Sequence, residues 1–162
     1  LRLYERKPHG GDAGLSGEAG SSQSAERTHE GHDGIEPIPA HVERVGRAVM
    51  DAAFAVHKAL GPGLLESVYE TCLAEELKQR GLNVERQVGV PVIYGEARLE
   101  VGYRLDLLVE GAVVVEIKSI EALAPIHTAQ VLTYLRSPDV RLGYLINFNT
   151  VLLKQGLRRL VL

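Results

Sequence analysis

The sequence has no tryptophan, one cysteine (Cys72), one methionine (Met50) and two phenylalanines in 162 residues. A lone cysteine excludes a disulfide framework and a cysteine cluster for zinc, and it fits a reduced, cytoplasmic setting. No run of about 18 apolar residues occurs, so no membrane-spanning helix is expected. The chain begins Leu1-Arg2-Leu3-Tyr4, without an initiator methionine and without the apolar stretch of a signal peptide. A basic excess is also missing. The net charge is -3, and all of it lies in the first 39 residues, where 4 Lys and Arg face 7 Asp and Glu. Residues 40–162 carry 14 of each sign. Proteins that coat DNA without regard to sequence usually show a basic surplus. Any nucleic-acid contact here must come from a local patch, or from metal ions that offset carboxylates.

What is present divides the chain near residue 40. Residues 1–39 are rich in Gly, Ser, Glu and His, with no apolar recurrence at a period of about 3.6 or 2. Burial cannot offset the entropy of ordering such a segment, so a disordered tail is expected. Its histidines His9, His29 and His32 have no metal-ligand spacing. Residues 40–162 are dense in Val, Leu and Ile and suffice for one compact core.

Within that domain Val42, Val45, Val49, Ala53, Val56 and Leu60 recur at helical spacing, and Gly61-Pro62-Gly63 ends the helix. A second helix is expected from about Leu64 to Arg80, with Leu65, Val68, Tyr69, Cys72, Leu73 and Leu77 on one side. Gly81 stands where a terminating glycine belongs. Strands are expected over 84–94, 99–109 and 113–119, with Gly95-Glu96 as a turn. Pro125 opens a third helix to about Leu135, which Ser137-Pro138-Asp139 breaks. A strand over 140–148 and a short one over 157–162 follow. Helix, helix, three strands, helix, strand, strand describes an α/β fold. Its mixed central sheet is an antiparallel meander plus a crossover strand, flanked by helices.

Two strands carry charges where the pattern otherwise asks for Val and Leu. In 101–109 the odd positions are apolar, leaving Gly102, Arg104, Asp106 and Leu108 for the other face. In 113–119, Val114, Glu116 and Lys118 form one face and Val113, Val115 and Ile117 the other. The connection Glu110-Gly111-Ala112 decides whether these faces coincide. A three-residue loop pairs 109 with 113, which sets Asp106 beside Glu116 and Arg104 across from Lys118. A two-residue loop throws the acids onto opposite faces. Three-residue loops with glycine are common in hairpins, so the first register is allowed rather than forced. Adjacent carboxylates repel unless a cation lies between them, and Mg²⁺ suits such hard oxygen ligands. There it would polarise a phosphoryl oxygen, while a nearby lysine orients water or offsets developing charge. The plainer reading is a solvated hairpin face.

The motifs Gly63-Leu-Leu-Glu66-Ser-Val-Tyr69, Tyr103-Arg-Leu-Asp106, Glu116-Ile-Lys118, Gln130-x-x-x-Tyr134 and Ile146-Asn-Phe148 occur in that order. With His57, Leu60-Gly-Pro-Gly63, Pro125-Ile-His127 and Gly143, they make the chain resemble the GxxExxY proteins from about Val45 to Arg159. That group lies within the PD-(D/E)XK nuclease superfamily. The resemblance implies a restriction-endonuclease-like core and a Mg²⁺- or Mn²⁺-dependent nuclease acting on DNA. It also implies metal-binding acids Asp106 and Glu116, Lys118 as the superfamily lysine, and Glu66 as a third, helix-borne metal ligand. Gln130 and Tyr134 would match the QxxxY element of the RecB-like branch.

On residues alone, Glu66 suits capping or dipole stabilisation at a helix start better than metal ligation, which only the resemblance favours, and Tyr69 suits a core ring with a wet hydroxyl. Gln130 and Tyr134 share a helical face that His127 could join, lining a phosphate groove or simply giving a helix its polar edge. His57 and Lys58 read as structural or surface residues. Arg104 is a candidate phosphate contact or a partner for nearby acids. The sequence thus points to a nuclease with Asp106, Glu116, Lys118 and Gln130 as catalytic candidates. Gln130, Tyr134 and Arg104 are its candidate substrate contacts. The alternative is a non-catalytic nucleic-acid-binding or protein-interaction module on the same fold. Cutting two strands needs two sites, which a homodimer would supply.

Overall fold

The computed structural model describes residues 36–136 and 140–162, apart from the side chain of Val101. The expected tail lies outside the described residues as far as residue 35, and so does the Ser137-Pro138-Asp139 break. Glu36 and Ile38, placed in that tail by composition, touch the domain. Arg141 donates to the Glu36 carbonyl at 2.6 Å, and Ile38 packs on the core.

Helix α1 (Ala40–Leu60) buries Val42, Gly46, Val49, Ala52, Ala53 and Val56, a stripe at three- and four-residue steps. Leu60, expected on that stripe, is exposed. Gly46 lets α1 approach β4 closely: a Cβ there would come within 2.9 Å of Leu142 and Tyr144 side-chain atoms, which would have to shift. Helix α2 (Glu66–Gln79) buries Tyr69, Glu70, Leu73, Ala74 and Leu77. The expected face was rotated too far. Leu65 is 73% exposed and Val68 37%, while the charged Glu70 is inside.

A five-stranded sheet runs in chain order: β1 (Val84–Tyr94), β2 (Ala97–Val109), β3 (Val113–Lys118), β4 (Leu142–Asn147) and β5 (Leu157–Val161). Only β3 and β4 pair in parallel, joined by the crossover helix α3 (Pro125–Leu135); the other described pairs are antiparallel. The result is the expected α/β architecture, a mixed sheet with helices on it, consistent with a restriction-endonuclease-like fold. Proline at the first helical position starts α3, where its missing N–H costs nothing.

The sheet separates two cores. One face packs Leu107, Val109, Val113, Val115, Ile117, Leu142 and Ile146 against α1 and α2. The other sets Val90, Leu105, Val114 and Leu145 against Val131, Tyr134 and Leu135 of α3. Strict alternation along β2 therefore fails. Leu107 and Val109 belong to the first core, but Leu105 and Tyr103 to the second. Strand β1 changes face at the matching place, with Val84 in the first core and Val88 in the second. Between Arg86↔Leu107 and Val88↔Leu105 the ladder omits one pair, Gln87 with Asp106, and Gln87 has a φ of 52°. The faces exchange at that break. A second irregularity between Val90 and Val92 coincides with Pro91, which has no N–H to donate. Among the described residues no helix is long and apolar enough to cross a membrane.

Candidate active site

The hairpin register is the one that brings the acids together. Val109 pairs with Val113, Leu108 with Val114 and Leu107 with Val115, across the three-residue loop. Glu110 and Gly111 turn it with φ of 53° and 61°, and the Ala112 N–H donates to the Val109 carbonyl at 3.0 Å. The described ladder stops at Leu107. At the next position the Asp106 side chain substitutes for the backbone, its Oδ2 accepting the Ile117 N–H at 2.8 Å. The strands thus part where their carboxylates stand. Arg104 consequently does not pair across from Lys118. It faces Gly89 in β1 and donates to the Gln87 carbonyl at 3.2 Å.

Glu116 is only 5% exposed. Its Oε1 accepts from Lys118 Nζ at 2.8 Å, but its buried Oε2 has no hydrogen-bond partner. An orphaned buried acceptor costs about 1–3 kcal/mol, so it calls for a partner. Burial first, then the charge of Asp106 with Glu66 behind it, pushes the Glu116 carboxyl up to about 7 despite Lys118. Burial likewise raises Asp106, against the Ile117 N–H, the Gln87 amide and Lys118; Glu70 adds to the rise. Burial works against the Lys118 charge, yet Glu116, Glu66 and Asp106 together hold the ammonium above its ordinary value. Lys118 stands as a hydrogen-bond donor to Glu116.

The Gly63–Tyr69 motif has a structural logic. The Tyr69 ring is buried and stacks on Phe148 with centroids 4.5 Å apart. Its hydroxyl donates to the Gly61 carbonyl at 2.6 Å and accepts the Leu64 N–H at 3.1 Å, pinning the glycine loop. That loop delivers Glu66 to the end of β3, where Oε1 accepts the Ser119 N–H at 3.1 Å. Glu66 is the acid of the first turn of α2, and the hydrogen bond from Ser119 directs its side chain to the strand end. Tyr69 is a core residue and anchor, while His57 braces the far loop through Nε2 and the Thr150 carbonyl at 2.8 Å.

Helix α3 contributes from the other side. Tyr134 is buried and donates to the Arg104 carbonyl at 3.0 Å; burial and the charges of Glu116 and Asp106 raise its hydroxyl's affinity for its proton. Gln130 is exposed. It lines, with Tyr103, Ile126, Ala129, Thr133 and Tyr134, a groove of about 280 Å³. His127 does not join them, because its Nδ1 accepts the Ala124 N–H at 2.9 Å and caps the helix.

Two site residues, Glu70 and Gln87, escaped sequence reasoning, and a third, Asn147, was named only within a motif and given no role. Glu70, buried beside Tyr69, accepts from Arg86 Nε at 3.0 Å and from Gln87 Nε2 at 2.9 Å. Gln87 Nε2 also reaches Asp106 Oδ1 at 3.2 Å. Asn147, buried at the end of β4, exchanges hydrogen bonds with Ile120 and so fixes the chain leaving Lys118. The available signals were an acid amid the apolar face of α2 and an amide in the otherwise apolar β4; Gln87, preceded by Glu85 and Arg86, gave none.

Asp106 and Glu116 offer hard oxygens, one of them buried and unpartnered, and two carboxylates plus water and phosphate are what Mg²⁺ commonly takes. The donor set fits such an ion. The expected trio with Glu66 is not gathered, however. Among the described residues no group of three His, Cys, Asp or Glu is arranged to hold a metal. No curated protein and no solved structure matches the chain. A family model described as PD-(D/E)XK nuclease superfamily matches residues 43–160, a span that includes most of α1, every element from α2 to β4 and most of β5. Most of the chain lies within that match, and the chain belongs to the PD-(D/E)XK nuclease superfamily.

Proposed function

We propose that the domain is a Mg²⁺- or Mn²⁺-dependent nuclease of the GxxExxY group that hydrolyses DNA phosphodiester bonds. The observation that carries this reading is the buried, unpartnered Glu116 Oε2 beside Asp106, with Lys118 on the other oxygen. Asp106 and Glu116 would hold the cation, and Glu66 adds negative charge from the start of α2. The ion would supply Lewis acidity at a phosphoryl oxygen.

The protein's own part is positioning and charge. Lys118, held protonated, donates to the attacking water or to a non-bridging phosphate oxygen as negative charge grows there. Tyr134 fixes the Arg104 segment and closes the acid pair on the α3 side. Gln130 and Arg104, both exposed, meet the substrate at the rim. The formally neutral domain gives little long-range attraction for a polyanion, so binding relies on these contacts and on the cation. For a duplex, a homodimer would present one site to each strand.

The test is incubation of the protein with single- and double-stranded DNA, with and without Mg²⁺ or Mn²⁺. Cleavage that needs the divalent ion and disappears in Asp106→Ala supports the assignment. Cleavage that persists unchanged in Asp106→Ala overturns it. DNA bound but uncut under every condition favours the non-catalytic module.

A further inference from the structure

The geometry points to Gln87 as a positioning residue for Asp106, an amide strut that fixes the acid's carboxylate against the buried charge of Glu70. Its Nε2 donates to Glu70 Oε2 at 2.9 Å and to Asp106 Oδ1 at 3.2 Å. Glu70 is itself braced, since Arg86 donates to its other oxygen at 3.0 Å and to Thr71 Oγ1 at 2.9 Å. Asp106 is thereby gripped at both oxygens, by Gln87 on one and by the Ile117 N–H on the other.

The backbone supports the same conclusion. Gln87 is one of two non-glycine residues with positive φ among the described residues, and the other, Glu110, sits in a hairpin turn. Left-handed geometry disfavours a glutamine within a strand. The ladder lapses at this pair, so Gln87 departs from the regular alternation of β1 and its amide meets both acids. Strain confined to one residue facing two acids is the pattern expected where position is needed for function. An amide with two N–H donors holds two carboxylates near each other without adding charge between them.

Two substitutions test it. Gln87→Gly removes the amide and relieves the left-handed backbone; Gln87→Glu keeps the side chain's length but removes its donors. In the metal-free protein, both are expected to accelerate exchange of the Ile117 amide severalfold, leaving Val113–Val115 unchanged. Gln87→Gly should also keep or raise the melting temperature while weakening Mn²⁺ binding about tenfold, the usual scale for a partner that orients a ligand. A purely structural residue would show the opposite, a lower melting temperature with Mn²⁺ affinity preserved. Unchanged Ile117 exchange in both variants overturns the inference. It rests on the metal-centre reading only for its Mn²⁺ arm. Faster Ile117 exchange in both variants, when the wild type itself binds no Mn²⁺, would sustain Gln87's role and remove the metal centre instead.

Discussion

Helices α2 and α3 both bring polar side chains to the parting of β2 and β3, and they do so in opposite ways. On the α2 side every acid is tied: Glu66 to Ser119, Glu70 to Arg86 and Gln87, Asp106 to Gln87 and Ile117. The α3 side has one buried tyrosine holding a strand carbonyl, then an exposed glutamine over an open groove. The difference separates two tasks. The proposed cation site would need fixed charges, and on this side the strand acid Asp106 is braced, through Gln87 and Glu70, by a helix locked by a stacked Tyr69–Phe148 pair. The proposed polymer substrate would need access, and the open groove beside α3 offers it.

Breaking the α2 side should therefore cost the fold as well as the site. Tyr69→Ala empties a fully buried aromatic position and is expected to cost about 3–5 kcal/mol in chemical denaturation. Tyr69→Phe, which keeps the stack and loses only the two hydroxyl bonds, should cost about 1–2 kcal/mol. Equal losses for the two would show that the loop anchor, not the ring, holds the helix.

The next effect separates charge from folding. Lys118→Ala is expected to lower the cleavage rate about 10²–10³-fold, the scale for one donor aimed at developing charge. It also frees Glu116 Oε1, so Mn²⁺ should still bind. Loss of Mn²⁺ binding in Lys118→Ala would mean the lysine organises the acids rather than the reaction. Smallest is the α3 effect. Gln130→Ala should leave melting temperature and Mn²⁺ affinity unchanged and raise KM for DNA severalfold. A fall in kcat alone would move Gln130 from the rim into the chemistry.

The same contrast explains what the sequence revealed. Regular stretches were legible: α1, α3, the hairpin strands and the crossover follow from apolar period and from Gly and Pro punctuation. So did the acid–acid–lysine set, because charges stood out against the Val and Leu of β2 and β3. The three-residue loop was allowed but not determined by composition, since Glu110 takes a left-handed conformation that sequence does not demand of a glutamate. The face change at Asp106 was hidden for a related reason. It depends on the strained backbone of Gln87, while period-two reasoning assumes none. Glu70 was missed because α2 was rotated towards Leu65 and Val68, apolar residues that face outward near the glycine loop. Where local pattern and local geometry disagree, the residues concerned lie around the acids.

The most direct test of the metal centre is a calorimetric titration of the protein with Mn²⁺ at pH 8, wild type against Glu116→Gln. Glu116, held up near 7, has mostly lost its proton at that pH, so it binds without a competing protonation; repeating the titration at pH 6 should weaken binding. Binding at submillimolar Mn²⁺ by the wild type, lost in Glu116→Gln, is the predicted result. No binding at millimolar Mn²⁺, together with unaltered stability in Glu116→Gln, would contradict it.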